Sequence, residues 1–575
     1  MVDKLSAWAN SKNPSIFSKH QIDQLWVLGF LLVALLMFGI NLGGLPLRDW
    51  DEGTVAQVAR DIWRAPTDSL TWLYPTLGGK PYFNKPPLMH WLIALAYSVG
   101  GVNEWTSRLP GALLTAISVP LLYGIGRELF LHRTPAVLAT LIYLTFLPIV
   151  RHGRLAMLDG GILCFFLLLM LCLLRTRRDL RWGMGVGVAF GLLCLTKGIM
   201  ALLLGAIALV FIFLDTPRLL TSGYLWGGLL LGSLPAGAWY EAQWLRYGAS
   251  FFRANLQTQS IERIWIPVES NGGPPWYYLV EILKYSLPWL IFLPWGFRLA
   301  WENRNMGWAK LVLVWTIGYL GVISLMSTKL PWYVLPVYPA LALVAGMQLA
   351  QVWNPGDFLG IPQQWRRRYP KSWVVLLGLV AIACWVANFY FGGLGAVPQL
   401  DLQLILSVIA LTITAAAILV ACQDSQFILV LLWGCYLSLL LLMTSHYWVW
   451  ELNEAYPVKP VAAMVRQETP KGQPIITSYP TFRPSLNFYS DRQIVLASQI
   501  PPATEDQASI AKKIQTYWQQ TAQPYLLTNQ DTLKQLKLEA VRQLGTAEGW
   551  LLVTRTGKPK IQTIQTDPEE RKAES

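Results

Sequence analysis

Apolar residues fill most of the first 445 positions in runs of about twenty, separated by short polar gaps, and the pattern changes after His446. A helix rises about 1.5 Å per residue, so about twenty apolar residues cross the ~30 Å hydrocarbon layer of a bilayer. Thirteen segments meet that length: 25–45, 107–129, 135–151, 156–174, 183–197, 198–214, 222–242, 281–298, 309–327, 332–353, 373–391, 402–422 and 426–445. Residues 88–100 are apolar but short. Beyond His446 the chain turns polar, with strand-like runs at 474–478 and 549–554 and a helical run over 504–520, which predicts a small α/β domain. The fold class expected is a polytopic α-helical membrane protein of about 13 transmembrane helices with a small α/β soluble C-terminal domain.

The polar gaps carry a directional signal. Short cytoplasmic loops are rich in Lys and Arg. With the N-terminus inside, the inner loops hold Arg127 and Arg133, then Arg175, Arg177, Arg178 and Arg181, then Arg218, then Arg298, Arg304 and Lys310, then Arg366, Arg367, Arg368 and Lys371. The outer side then receives a first loop at 46–106, turns near 151–159 and 197, a second loop at 243–280, the 327–332 turn and everything after 446. The domains expected are a cytoplasmic N-terminus (1–24), a transmembrane domain (25–445), a periplasmic α/β domain (446–560) and a flexible tail (561–575). The first run lacks a cleavage site and reads as a retained anchor.

Composition agrees. Of 575 residues 54% are hydrophobic and 14% charged, with mean hydropathy +0.39. The net charge of +13 is spread through the loops rather than gathered in a patch, which argues for topology and against nucleic acid. The six cysteines lie in apolar runs without metal-ligand spacing, so packing explains them.

Chemistry-bearing residues concentrate on the outer side. The first outer loop opens with Asp49, Asp51 and Glu52 and continues with Val55, Val58, Ala59, Ile62 and Trp63 at helical spacing, an amphipathic helix expected to lie in the membrane interface. Helix capping alone would explain Asp51. Lys85 precedes Pro86 and Pro87, which hold its loop out of helix, although a lysine snorkelling to lipid headgroups is an alternative. Asp159 opens a span, where an acid serves function or pairs internally, here with Arg151 or Arg154. Lys197 and Gly198 split about thirty apolar residues into two spans. Lys329, Tyr333, Arg263, Tyr277 and Tyr278 face the same side, where aromatics also form interface belts. Gly183, Gly185, Gly187 and Gly191 lie inside a span without a preceding strand, so close helix packing explains them better than a nucleotide loop. There is no P-loop and no familiar hydrolase or zincin motif.

Carboxylates (Asp51, Glu52, Asp159) beside lysines (Lys85, Lys197, Lys329) and arginines at a membrane surface suit transfer of a group from a lipid-linked phosphate. Cations stabilise the departing phosphate, and a carboxylate takes the proton of the attacking hydroxyl. The series Asp51-Glu52, Tyr82-Phe83-x-Lys85-Pro86-Pro87, Ala156-Met157-Leu158-Asp159, Thr196-Lys197-Gly198, Pro274-x-Trp276-Tyr277-Tyr278, Ser286-Leu287-Pro288-Trp289 and Lys329-Leu330-Pro331-x-Tyr333 resembles the C-type glycosyltransferases, in particular the aminoarabinose transferases related to protein O-mannosyltransferases. The resemblance covers about residues 25–350. It implies a polyprenyl-phosphate-linked sugar donor, inverting transfer to a lipid, glycan or protein acceptor at the periplasmic face of a bacterial-type inner membrane, and no nucleotide cofactor. Asp51, Glu52 and Asp159 would be catalytic. Lys85, Lys197 and Arg154 would bind the donor phosphate, and Tyr82, Tyr277, Lys329 and Tyr333 would line the lipid and sugar pocket. A divalent metal on Asp51 and Asp159 is left open.

Two positions depart from that pattern. Asn84 stands where the family often has Glu, and the Phe251–Leu256 stretch lacks the Glu-His pair of the aminoarabinose transferases. A transporter or lipid flippase is the alternative reading, against which stand the missing internal repeat and polar residues at span ends rather than at the midplane. A non-catalytic scaffold would leave those acids and lysines unexplained.

Overall fold

The computed structural model describes residues 18–267, 271–353, 369–395, 398–449, 457–500 and 506–556. Arg366, Arg367, Arg368 and the 561–575 tail lie outside them. The chain divides into two compact units: residues through Leu45 with Ile62–Pro75 and Pro81–Val449, and Pro46–Asp61 with Thr76–Lys80 and the chain from Trp450 onward.

The first unit is a multi-pass membrane bundle. All thirteen apolar segments are helical, and nine helices among the described residues are long and apolar enough to cross a membrane, Trp182–Asp215 being taken as one. Of the other three segments, 135–151 forms the shorter Arg133–Leu144, 222–242 forms Gly223–Tyr247, which is not among the nine, and 281–298 is broken into Tyr277–Tyr285, Trp289–Phe292 and Leu293–Glu302. Large apolar side chains on one face of a helix, such as Leu404, Leu411 and Ile418, stay more than half exposed. Side chains like these suit hydrocarbon, not water.

Trp182–Asp215 reverses direction in its middle. A Cβ on Gly205 would lie 2.8 Å from the Phe190 ring, although fifteen residues of straight helix would separate the two by about 22 Å. Lys197 and Gly198 carry the non-helical dihedrals at which the chain turns back. The first half then runs parallel to Gly223–Tyr247, with Gly183 meeting Leu225, Gly187 meeting Gly228 and Gly191 meeting Gly232. A methyl at Gly187 or Gly191 would run into the facing carbonyl oxygen, so this glycine stripe is a backbone-to-backbone helix contact.

The loops assigned to the inner side meet one another. Asp23 bonds Arg133 at 2.8 Å and Arg127 at 3.2 Å; Glu128 pairs with Arg175 and Arg178; Asp215 pairs with Arg177 and Lys310. Asp159 and Arg175 occupy opposite ends of the Asp159–Thr176 helix, so the outward set gathers at the other end of the bundle.

The second unit contains a five-stranded sheet in the order Ile494–Leu496, Ile475–Thr477, Tyr525–Asn529, Trp550–Arg555, Val541–Ala547. The first three strands are parallel and the last two join antiparallel. Strand side chains alternate between faces. Ile475, Leu527 and Leu552 meet Val461 and Val465 of the Val458–Glu468 helix, whereas Ile476, Leu526 and Val553 meet Ile514 and Trp518 of Gln507–Gln520. The result is a three-layer α/β/α domain.

The first-loop helix, Asp51–Arg64, changes the sequence picture. Its first eleven residues cluster with this sheet domain rather than with the bundle. Val55, Val58 and Ala59, the face expected to rest in the bilayer interface, are 0–5% exposed and therefore buried by protein, while Trp63 keeps 40% exposure. Gly53 makes the approach possible, since a Cβ there would lie 2.6 Å from the backbone nitrogen of Ser485.

Candidate functional site

At the end of the bundle that holds Lys197 lies a cavity of about 490 Å³. Its polar wall is Asn84, Lys85, Lys197, Tyr240, Asn255, Gln259, Arg263 and Tyr333, and its apolar wall includes Met200, Leu203, Val322 and Leu325. Lys197 reaches it because the helical hairpin turns there. A Cβ at position 198 would run into the Tyr240 hydroxyl, so a larger residue at that apex would have to push the Tyr240 ring aside.

Lys197 Nζ stands 3.4 Å from Asp159 Oδ1 and 5.1 Å from the centre of the Tyr333 ring. Asp159 thus pairs with Lys197 instead of Arg151 or Arg154. The pair is nearly sealed, at 6% exposure for the carboxylate and 13% for the lysine, and the lysine is the partner facing the cavity. Arg263 donates to the Tyr333 hydroxyl at 3.1 Å and to Gln259 Oε1 at 2.7 Å. Asn255, Gln259 and Arg263 recur every fourth residue along the π-helical Arg253–Ile261 and the following Glu262–Trp265, so one face of the second outer loop lines the cavity. That loop is held by Ser327 and Thr328, whose N–H groups donate to Ile264 and Arg263 carbonyls.

Other expected residues have different surroundings. Arg154 is fully buried, with its guanidinium donating to the carbonyls of Met37 and Ile40 at the end of Lys19–Gly39 and lying 4.6 Å over the Trp448 ring. A cation closing a helix C-terminus satisfies orphan carbonyls, and Arg154 is not part of the cavity wall. Lys329 does the same for Gly307–Leu325, donating to Ile323 O at 3.1 Å and Ser324 O at 2.7 Å. Burial lowers its pKa. Tyr82 packs edge-on against His90, and Tyr277 against Tyr278; neither joins the cavity wall. From sequence, Arg263 is placed on this side without a role, and Gln259 and Asn255 have none either; together they carry one signal, polar side chains at a spacing of four in the second loop.

In the sheet domain the acid cluster separates into three environments. Asp49 is buried, accepting from Arg483 and from Ser485 Oγ at 2.6 Å. Glu52 is fully buried and accepts the Arg48 N–H at 2.8 Å. Asp51 keeps 26% side-chain exposure, 3.4 Å from Arg48 Nη1. Between them Trp50 has φ 61°, a left-handed conformation that costs a bulky residue on the order of 1–2 kcal/mol and is tolerated where surrounding contacts force it. Among the described residues no group of three or more His, Cys, Asp or Glu is placed to hold a metal. With Asp159 already engaged by Lys197, the donor set does not fit a divalent ion.

Residues 84–239 match the family described as dolichyl-phosphate-mannose-protein mannosyltransferase. An undecaprenyl phosphate-α-4-amino-4-deoxy-L-arabinose arabinosyl transferase of Pseudomonas fluorescens is 31% identical over 363 residues, 60% of each chain. The corresponding transferase of Aeromonas hydrophila is 29% identical over 56% of this chain and 60% of its own. The chain thus spans about 60% of the length of the curated relatives it matches. The crystal structure of ArnT from Cupriavidus metallidurans bound to undecaprenyl phosphate superposes with a TM-score of 0.73 at 20% identity, covering 92% of this chain and 98% of that one. This chain has the ArnT fold. The resemblance to C-type glycosyltransferases read from the sequence therefore holds in sequence and in architecture.

Proposed function

We propose that the chain is a membrane glycosyltransferase that moves a sugar from a polyprenyl-phosphate donor to an acceptor hydroxyl at the periplasmic face of an inner membrane. The observation that carries this reading is the cavity wall on which Lys85, Lys197 and Arg263 converge beside an apolar flank. A phosphodiester needs the cations and an isoprenoid needs the flank. The named relatives use undecaprenyl phosphate-linked sugar, and both ends of the cavity have the chemistry for such a molecule.

In the proposed reaction the acceptor oxygen attacks the anomeric carbon as the carbon–oxygen bond to phosphate breaks. Polyprenyl phosphate leaves with the bonding electrons, and the sugar inverts in this single displacement. Lys85, Lys197 and Arg263 stabilise the charge growing on the leaving phosphate. Arg263 takes the role first given to Arg154. Asp51 accepts the acceptor proton, a role supported by its exposure beside two sealed acids. Asp159 positions Lys197. Tyr333 orients Arg263. No step is assigned to a metal.

The test is transfer in proteoliposomes. Asp51→Asn is expected to lower transfer from a polyprenyl-phosphate sugar by about 10²–10⁴-fold, the range for a lost general base, without weakening polyprenyl phosphate binding. Normal transfer by that variant removes the assignment. For orientation, Lys80→Cys in a background lacking the native cysteines should react with an impermeant thiol reagent in intact cells. Labelling only after lysis inverts the topology.

A further inference from the structure

We infer that the bundle holds a glycerophospholipid with an anionic headgroup in a second cavity, at the end of the helices opposite Lys197 and independent of the transfer reaction. This cavity, of about 650 Å³, lies between Lys19–Gly39, Arg133–Leu144, Tyr338–Trp353 and Phe427–Thr444. Arg133 lines it and shares Asp23 with Arg127, whose neighbour Glu128 holds Arg175, at the far end of the helix that Asp159 opens. Trp26 and Trp433 stand on its wall and are exposed, so the cavity opens sideways between the helices, toward hydrocarbon.

Its length fits one leaflet. From Arg133 to Thr145 the wall runs twelve positions along one helix, about 18 Å at 1.5 Å per residue, close to half of the ~30 Å hydrocarbon layer. An acyl chain makes that journey, from headgroup level to the midplane; a long isoprenoid would overrun it. Phe30, Val33, Val137, Leu138 and Leu141 line the way. The polar groups deeper in are spent within the protein: the Thr145 hydroxyl donates to the Leu141 carbonyl at 3.0 Å, and the Tyr436 hydroxyl to the Val33 carbonyl at 3.0 Å.

The shallow end has the opposite chemistry. Asp23 is one carboxylate between two guanidiniums, with Arg133 Nε at 2.8 Å and Arg127 Nε at 3.2 Å, so it offsets one of their two charges. Neighbouring acids are taken up in the same way, Glu128 by Arg175 and Arg178 and Asp215 by Arg177 and Lys310. Asp424 accepts the Gln426 N–H within its own turn and is not on the wall, and no Asp or Glu is among the described lining residues. Arg133 keeps 27% side-chain exposure, enough for a phosphate at the mouth to accept from it. Basic recesses between membrane helices hold anionic headgroups in this way.

Native mass spectrometry of the full chain released from detergent tests the site, with phosphatidylglycerol and phosphatidylcholine of identical acyl chains as probes. The first phosphatidylglycerol is expected to bind at least about tenfold tighter than the first phosphatidylcholine, and Arg133→Gln should remove that preference. Gly29 lines the cavity with nothing within 4 Å of its Cβ, so Gly29→Phe should fold, fill the space and weaken both lipids about tenfold or more. Excess undecaprenyl phosphate should leave the bound phosphatidylglycerol in place. Equal binding of the two lipids by the unmodified protein, a preference that survives Arg133→Gln, undiminished binding by Gly29→Phe, or displacement by undecaprenyl phosphate overturns the inference.

Discussion

Removing Lys197 from the Asp159–Lys197 pair should have two separable effects. The charges lie 3.4 Å apart and are almost fully covered, so at an effective dielectric of about 20 their attraction is about 5 kcal/mol before desolvation is subtracted. Lys197→Met strands a carboxylate with 6% exposure, and breaking such a pair costs about 3–5 kcal/mol. Asp159→Asn is milder, about 1–2 kcal/mol, because the lysine faces the cavity and its ammonium can turn to water there. The double variant Asp159→Asn/Lys197→Met should recover most of the larger loss, giving a coupling of about 2 kcal/mol or more in a double-mutant cycle. Unfolding in mixed detergent, followed by emission of the 28 tryptophans, measures it. Binding separates the partners. Lys197→Met should weaken undecaprenyl phosphate by ten- to about 150-fold, the loss of one charge-assisted hydrogen bond, whereas Asp159→Asn should bind it at least as well as the unmodified protein. A coupling under about 0.5 kcal/mol, or undiminished binding by Lys197→Met, refutes the reasoning.

Gly191→Ala should destabilise the bundle by about 1–3 kcal/mol or more through collision with Gly232, while Gly227→Ala, with nothing within 4 Å of its Cβ, should be neutral; thermal unfolding in detergent distinguishes them. Asp49→Ala leaves Arg483 buried without its carboxylate and should cost about 3–5 kcal/mol, read as faster proteolysis of the sheet domain; unchanged protection would show the pair to be dispensable. Arg263→Gln should weaken undecaprenyl phosphate about tenfold or more, while Arg154→Gln should lower stability and leave affinity per folded molecule unchanged. Burial raises the pKa of Asp61 against the bonds it accepts from Gln57, Thr76 and Gly78. A raised folded pKa contributes stability below the unfolded value near 3.8 that is lost as pH rises through the folded value. The melting temperature of Asp61→Asn relative to the unmodified protein should therefore climb as pH is raised across that interval, and parallel pH profiles would contradict it.

Apolar spans and the small α/β C-terminal domain were legible in the sequence because they depend on local composition: an apolar run must leave water, and strand side chains alternate. Lys85, Lys197 and Tyr333 were legible as cavity residues because each stands at a break between apolar runs. Which cation a carboxylate meets was not. Asp159 could have paired with Arg151 or Arg154, eight and five residues away, yet it meets Lys197, 38 residues on, brought to it by a helical reversal. Arg154 and Lys329 looked like phosphate ligands for the same reason that they close helix ends: a cation beside an apolar helix serves either carbonyls or an anion, and only their hydrogen bonds tell which. The first-loop helix read as a membrane-surface element because an apolar stripe does not say what covers it. Local chemistry determined what each residue could do, and the packing of distant segments decided which of those things it does.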